Sequence, residues 1–308
     1  MAKPQSIRKM PKTGITLIIP FFGNPPSWMP FFLKGCYANA EVSFLIFSDC
    51  MQAGRYRNVN VINFRLEDLK NLAAKKLKMP ICLESSYKIC DLRPAFGIIF
   101  EDYLKDSRFW GTCDLDVLFG NIRKFITDDL LNNYDVITAK REYLIGHFTL
   151  YRNSAKVNNL FKKSADYQQV FTSPRSYAFD ECNFLWWKLL AGQSIFETPS
   201  AVESMSHVVK RMEVSGSIRA YFKTHVIEQD KLDALGRLVE FPNTLLWNDG
   251  TLKDLETGNE YLSFHFHFLK KESTFSIPIL RKIPSRFQVS KAGFIPDYQL
   301  IEEELTSC

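Results

Sequence analysis

Residues 108–122 read RFWGTCDLDVLFGNI, an apolar, strand-like segment that contains two aspartates, Asp114 and Asp116. Side chains two positions apart on a strand share a face, so the sequence predicts that both carboxylates point the same way. Two unpaired carboxylates lose hydration there and repel each other, and one of them would have to take up a proton. The nearest basic residues, Arg108 and Arg123, lie six and seven positions from the pair. A divalent cation would resolve this conflict, and the alternative is an exposed strand end at which both carboxylates are solvated.

The segment lies among short apolar runs that alternate with helical patterns. Buried strands are predicted at residues 16–19, 42–49, 59–64, 134–139 and 147–152, and helices at about 66–79 and from Pro94 to about 104. This alternation indicates an α/β fold with a mostly parallel sheet and helices on both faces. In such a sheet ligands bind at the carboxyl ends of the strands, where Asp49 and the Asp114/Asp116 pair are expected.

Beyond residue 200 the pattern is weaker. The stretches LLWNDG (245–250) and YLSFHFHFLKK (261–271) predict strands with a turn between them. From Lys270 the chain is basic and punctuated by proline, with no clear period. We therefore predict one main domain over residues 1–271, followed by a short, irregular, basic extension over residues 272–308.

Composition and charge exclude several classes of protein. A net charge of +5 favours anionic ligands or a membrane surface, but no nucleic-acid-binding motif is present, so no nucleic-acid partner is expected. The seven cysteines are scattered and lack a Cys-x-x-Cys pair, which indicates a reducing cytosol. Neither a signal peptide nor an apolar run long enough to span a bilayer is evident. We expect a cytoplasmic chain.

A second group of candidate ligands follows near the end of the predicted domain. His265 and His267 are two positions apart on a predicted strand, and Lys270 and Lys271 follow them. An imidazole near two carboxylates suits a Mn²⁺ site, and the lysines suit a diphosphate. The alternative for each histidine is a strand residue whose ring is hydrogen-bonded to the backbone.

Residues 86–126, SYKICDLRPAFGIIFEDYLKDSRFWGTCDLDVLFGNIRKFI, resemble the Asp-x-Asp region of GT-A-fold glycosyltransferases. Similar pieces in the same order are TLIIPFFG, FLIFSD, GHFTLYRN, YAFDE and HFLKK, so the resemblance covers residues 15–271. It is greatest to a group of bacterial glycosyltransferase-like proteins of unassigned function. The resemblance implies a GT-A, Rossmann-like fold and a catalytic domain over residues 1–271 that binds a nucleotide-sugar and an acceptor.

The resemblance also implies a metal site. In GT-A enzymes the Asp-x-Asp carboxylates hold Mn²⁺ or Mg²⁺ on the diphosphate of the donor. Asp116 corresponds to the direct ligand, while Asp114 holds the ribose or shares the metal. His267 corresponds to the carboxy-terminal histidine that completes the metal shell, with His265 held in reserve. Lys270 and Lys271 would bind the diphosphate.

Four further residues are assigned to the donor by the same resemblance. Asp91 and Arg93, in CDLRP, resemble the Asp and Arg that grip the donor sugar, and the resemblance makes Asp91 a candidate catalytic residue as well. Helix capping is the alternative for Asp91. Asp49 resembles a residue that contacts the nucleobase, with a turn aspartate as the alternative. Phe21, in the loop after the first strand, is assigned to the nucleotide as well.

The segment FDECNFLWWKLLAG (179–192) holds the candidate catalytic pair. Asp180 fits the N-cap of a helix that Gly192 ends. The resemblance places an Asp-Glu pair beside the reacting sugar carbon, so Asp180 and Glu181 are candidate catalytic residues and Glu181 is preferred. His147 would line the acceptor side, with a core histidine as the alternative. Trp186 and Trp187 are adjacent on the predicted helix and cannot both face one site.

These inferences lead to a metal-dependent glycosyltransferase that acts on a bacterial surface glycan of the lipopolysaccharide or capsule type and is slightly favoured as retaining. The acceptor would be an oligosaccharide or a lipid-linked glycan, and the basic extension could lie on the inner face of the membrane. One alternative is a haloacid-dehalogenase-like phosphoryl-transfer enzyme, although its Asp-x-Asp would open the domain and here at least three strands precede it. The other is a non-catalytic nucleotide-sugar-binding module.

Overall fold

The computed structural model describes residues 14–223, 225–228 and 244–297. These residues form two compact units that are interleaved along the chain. The first unit holds the described residues of Met1–Gly23, Glu41–Cys113 and Asp128–Lys223, and the second holds those of Asn24–Ala40, Asp114–Thr127 and Thr224–Cys308. The predicted boundary at residue 271 lies inside the second unit.

The strands are β1 (Ile15–Pro20), β2 (Val42–Ser48), β3 (Gly54–Tyr56), β4 (Val59–Asn63), β5 (Phe109–Cys113), β6 (Val117–Phe119), β7 (Val136–Thr138), β8 (Phe148–Arg152), β9 (Ala220–Phe222), β10 (Val226–Glu228), β11 (Leu245–Asn248), β12 (Thr251–Asp254), β13 (Glu260–Tyr261), β14 (Ser263–His265), β15 (Arg286–Ser290) and β16 (Gly293–Pro296). The α-helices are α1 (Met29–Ala38), α2 (Leu66–Leu77), α3 (Ile89–Leu92), α4 (Phe96–Ile99), α5 (Ile122–Phe125), α6 (Asp128–Asn133), α7 (Ala155–Asn158), α8 (Tyr167–Thr172), α9 (Trp186–Leu190) and α10 (Met205–Val214). Short 3₁₀ helices occupy Ser86–Lys88, Arg93–Ala95, Glu101–Tyr103, Leu160–Lys163 and Leu269–Lys271.

The first unit is built on an eight-stranded sheet in the order β3-β4-β2-β1-β5-β8-β7-β9. Strands β4, β2, β1 and β5 run parallel to one another. Strand β3 is antiparallel to β4, β8 is antiparallel to both β5 and β7, and β9 is parallel to β7. The central strands are buried along their length, as expected for continuous apolar runs covered by helices. The predicted α/β class and the mostly parallel sheet are confirmed.

The helix predicted from Pro94 to about residue 104 is wrong. The chain there is divided into the 3₁₀ turn Arg93–Ala95, the short helix α4 and the 3₁₀ turn Glu101–Tyr103. Most side chains between Ile89 and Phe100 are buried, whereas a surface helix buries only one stripe. Packing on all sides therefore sets the shape of this segment. The helix predicted at 66–79 is confirmed as α2.

The second unit contains two smaller sheets. One has the order β10-β14-β6, and the other is an antiparallel sheet in the order β13-β12-β11-β15-β16. Asn39, at the end of α1, donates to the carbonyls of Gly35 and Gly120 and accepts from the amide of Ile122. The side-chain amide of Asn39 therefore ties α1 to the residues that follow β6.

The basic extension is not irregular throughout its described part, in contrast to the sequence-based prediction. Strands β15 and β16 form a hairpin, and β15 pairs with β11. Phe287 and Val289 alternate with exposed residues and are buried, and Phe294 packs in the same core. The period of two was present in the sequence, but it spans only five residues within a basic, proline-punctuated stretch.

Within the described residues, the chain has no helix with both the length and the apolar character that crossing a bilayer requires.

Candidate functional site

The two aspartates lie in the connection between β5 and β6 and not on one strand, so the predicted shared strand face is wrong. The strand β5 ends at Cys113 and β6 begins at Val117. These strands belong to different sheets, and the chain turns between them. Asp116 is buried with 5% of its surface exposed, whereas Asp114 is half-buried.

The Asp116 carboxylate lies beside two histidines of the second unit. Because β14 is antiparallel to β6, His265 is paired with Val117, next to Asp116. The Asp116 Oδ1 atom is 3.5 Å from His265 Nε2, and Oδ2 is 3.2 Å from His267 Nδ1. One ligand atom from each of the three residues lies within 4.8 Å of the others, which is a spacing that could hold a metal ion. Both histidines, including the one held in reserve, belong to this cluster.

Two lysines add positive charge to the cluster. Lys270 Nζ donates to Asp116 Oδ2 at 2.6 Å, and Lys271 Nζ is 2.9 Å from His267 Nε2. Burial alone would raise the pKa of Asp116, but His265, His267 and Lys270 hold it well below its usual range. The carboxylate is therefore ionised at neutral pH and available as a metal ligand.

A second cluster, in the first unit, surrounds Asp180 and Glu181. Arg93 Nη1 donates to Asp180 Oδ2 at 3.0 Å. Glu181 Oε1 accepts from the Gly146 amide at 2.8 Å, and Glu181 Oε2 accepts from Trp186 Nε1 at 2.6 Å. A β-carbon at Gly146 would overlap the Arg93 guanidinium and the Asp180 carboxylate, so a larger residue there would force these two side chains to shift.

The expectation that Asp180 caps a helix is wrong. Helix α9 begins at Trp186, and its N-cap is Leu185. Burial raises the pKa of Asp180 well above its usual range, and the carboxylates of Glu181 and Asp91 add to this shift while Arg93 opposes it. Asp180 is thus a buried acid that holds its proton more tightly than a free aspartic acid and accepts a hydrogen bond from Arg93.

Asp91 lies within α3 and is fully buried, so its capping alternative is wrong as well. It accepts hydrogen bonds from the amides of Tyr177 and Phe179 and from Lys88 Nζ. Sequence reasoning missed Lys88. The available signal was its position three residues before Asp91 in a helical segment, a spacing at which opposite charges meet.

The remaining candidates lie at separate positions in the first unit. Phe21 and Asp49 directly follow the neighbouring parallel strands β1 and β2, and Asp49 Oδ1 accepts from the amide of Gly23 at 3.1 Å. His147 precedes β8 and is buried, with 2% of its surface exposed. Trp187 is 37% exposed, whereas the half-buried Trp186 contacts Glu181.

The chain belongs to the family of unknown function DUF6625, whose profile matches residues 17–298. No curated protein matches the sequence.

Solved structures similar to this chain include three transferases. The galactosyltransferase LgtC, in complex with donor and acceptor sugar analogues, is 12% identical with a TM-score of 0.34, over 66% of this chain and 96% of that one. Mouse xyloside xylosyltransferase 1, in its apo form, is 10% identical with a TM-score of 0.38, over 86% and 99% of the chains. The glycosyltransferase GlyE of Streptococcus pneumoniae is 10% identical with a TM-score of 0.28, over 71% and 69%.

Proposed function

We propose that the chain is a metal-dependent glycosyltransferase that moves a sugar from a nucleotide-sugar to a hydroxyl of a glycan acceptor. The observation that carries this proposal is the cluster of Asp116, His265 and His267 with Lys270 and Lys271 beside it. A carboxylate and two imidazoles suit a divalent cation, and two ammonium groups suit a diphosphate. When bound, the cation would neutralise the charge that develops on the departing nucleoside diphosphate.

The donor set bears on which cation the cluster would hold. Mg²⁺ prefers oxygen ligands in a strict octahedron, whereas imidazole nitrogens are ligands of transition metals. Asp116, His265 and His267 would therefore favour Mn²⁺ over Mg²⁺. The half-buried Asp114 is proposed to hold the ribose or to share the metal, as the sequence resemblance implies.

We assign the chemistry at the sugar to the second cluster, the one around Asp180 and Glu181 in the first unit. Glu181 is the proposed catalytic residue, acting as general base for the acceptor hydroxyl or stabilising positive charge on the sugar. The Gly146 amide and the Trp186 indole each hold one of its oxygens, which fixes the plane of the carboxylate. Arg93, held by Asp180, is the proposed contact to the donor sugar.

The finer assignments rest on the sequence resemblance. Phe21 and Asp49 are proposed to contact the nucleotide, and their position at the carboxyl ends of β1 and β2 is consistent with that role. His147 is proposed for the acceptor side. The acceptor is proposed to be a bacterial surface glycan, with retention of configuration, in the cytoplasm at the inner face of the membrane.

Thermal melting against a panel of nucleotide-sugars tests the proposal. UDP-, GDP-, CMP- and dTDP-sugars are each added with Mn²⁺ or with EDTA. We expect one nucleotide class to raise the Tm only with Mn²⁺, because a ligand that binds the folded chain stabilises it. Asp116→Ala, His265→Gln and His267→Gln should each reduce the rise, and Asp68→Asn, on an exposed ion pair, should not.

Two results would contradict the proposal. A shift with Mn²⁺ and simple phosphate analogues, but with no nucleotide, would indicate phosphoryl transfer. A nucleotide-dependent shift that persists in EDTA and in Asp116→Ala would show that the cluster does not hold the donor.

A further inference from the structure

Lys88 and Asp91 form an ion pair in the interior of the first unit. Lys88 is 1% exposed and Asp91 is 0% exposed. Lys88 Nζ donates to Asp91 Oδ2 at 2.7 Å, to the carbonyl of Val170 at 2.7 Å and to that of Arg175 at 2.5 Å. An ammonium group has three protons, so these three bonds use all of them. Breaking such a pair from one side would leave a buried charge without compensation.

The other hydrogen bonds of Asp91 go to the backbone of residues 177–179. The Phe179 amide donates to Oδ1 at 2.8 Å, and the Tyr177 amide donates to Oδ2 at 3.0 Å. Between these residues Ala178 has a φ of +45°, in the left-handed region that non-glycine residues rarely adopt. Neighbouring amides that converge on one anion are typical of such a backbone turn. The hydrogen bonds from these two amides to the Asp91 carboxylate therefore stabilise a turn whose left-handed backbone is unfavourable for alanine.

This turn leads directly into the proposed catalytic segment. Asp180 and Glu181 follow Phe179, and Arg93, two residues after Asp91, binds the Asp180 carboxylate. The sequence CDLRP thus contacts YAFDE twice, through Asp91 at the backbone and through Arg93 at a side chain. The spacing of Asp91 and Arg93 places both contacts on one short segment.

We propose that Asp91 is a positioning residue that orients Asp180 and Glu181, and that Lys88 serves it as counter-ion. The sequence resemblance implied instead a contact between Asp91 and the donor sugar. Full burial and the three bonds to Lys88, Tyr177 and Phe179 leave Asp91 no surface on which a sugar could bind. The consequence for transfer rests on the proposed function, whereas the orientation of Glu181 is testable without it.

The indole N–H of Trp186 reports the orientation of Glu181, because it donates to Glu181 Oε2. The chain has five tryptophans, so the full chain labelled with ¹⁵N-tryptophan should give five indole signals. Trp186→Phe identifies the signal of interest, and Glu181→Ala shows where that signal moves when the bond is lost. We expect Asp91→Asn to move the Trp186 signal at least half of that distance, with Trp28 and Trp247 of the second unit unchanged.

A matched control and a second variant keep this test decisive. Asp135 is an ion-paired carboxylate of the same unit that also holds a backbone amide, and its polar partners are Arg152 and Arg219. Asp135→Asn should leave the Trp186 signal in place. If Asp91→Asn does not fold, Lys88→Arg supplies the test, because it keeps the charge but changes the hydrogen-bond geometry. A folded Asp91→Asn or Lys88→Arg with an unmoved Trp186 signal would overturn the proposal.

Kinetics and binding separate positioning from contact with the sugar. If Asp91 positions Glu181, Asp91→Asn and Lys88→Arg both lower kcat while the Kd for the nucleoside diphosphate stays the same. If Asp91 contacts the sugar, only Asp91→Asn weakens binding of the nucleotide-sugar relative to the nucleoside diphosphate, and the positioning role is wrong. Failure of the wild type to bind any nucleotide would contradict the proposed function and leave the Trp186 result standing.

Discussion

Three carboxylates of the first unit lie near one another and meet different partners. Asp91 is bound by an ammonium and two amides, Asp180 by a guanidinium, and Glu181 by an amide and an indole. Buried carboxylates are stable only when such partners compensate the lost hydration. The residue types alone did not distinguish these surroundings. Lys88 and Trp186 are near their carboxylates in sequence, but the other partners come from distant parts of the chain.

The raised pKa of Asp180 predicts a pH-dependent stability. The folded chain holds this proton more tightly than the unfolded chain, so protonated Asp180 adds to the free energy of unfolding. This stabilisation is full below pH about 4 and is lost as the pH rises through the pKa of Asp180 in the folded chain. Asp180→Asn stays neutral and should lack this loss, which amounts to about 1.4 kcal/mol for each unit by which the pKa is raised. Urea unfolding at pH 5 and pH 8 measures it. Equal changes in stability between the two pH values in wild type and variant would contradict the assignment.

At the scale of elements, the sequence predicts best where the local pattern and the burial agree. Strands β1 and β2 are continuous apolar runs that are buried on both faces, and α2 has one apolar stripe. These elements are recognisable because each has a local signature, a short continuous apolar run for the two strands and an apolar stripe with the helical period for α2.

In other segments, the structure is decided by which strands pair and not by the local hydrophobic pattern. The Asp-x-Asp residues read as strand, but they form a turn because β5 and β6 pair in different sheets. The pairing of His265 with Val117 brings the histidine to Asp116 across about 150 residues of sequence. The ligand types were thus predictable from the sequence, and their arrangement required the sheet.

The turn of the hairpin between β11 and β12 should make the stability of the chain sensitive to substitution of Gly250. Its two-residue turn holds Asp249 and Gly250 at φ values of 44° and 88°, and a β-carbon at Gly250 would lie 2.9 Å from that of Ala38. Gly250→Ala should lower the free energy of unfolding by about 1–2 kcal/mol because of the left-handed backbone. Chemical denaturation measures this, with Gly14→Ala as the control, since its added β-carbon has ordinary contacts. Equal stability of the two variants would contradict the described turn.

At the scale of the whole molecule, the structure makes residues 272–297 part of the second unit. Phe287, Val289 and Phe294 are buried in its core, and each such side chain contributes about 1.5–3 kcal/mol. A chain ended after Lys271 should therefore fail to fold its second unit and lose Mn²⁺ binding, because the total is comparable to the stability of a domain. Near-UV circular dichroism and Mn²⁺ titration measure the two effects.

A chain ended after residue 297 keeps both strands and serves as the control. It should fold and bind Mn²⁺ like the full chain. A folded, Mn²⁺-binding chain ended after Lys271 would instead support the domain boundary predicted from the sequence.

The proposed function requires that the cation and the nucleoside diphosphate bind together at the Asp116 cluster. Mn²⁺ binding, followed by electron paramagnetic resonance, should show one site that tightens about tenfold or more when the matching nucleoside diphosphate is present, a coupling of about 1.4 kcal/mol or more. Asp116→Asn should lose both the site and the coupling. Mn²⁺ binding that is equal in wild type and Asp116→Asn, or that no nucleotide changes, would contradict the central claim.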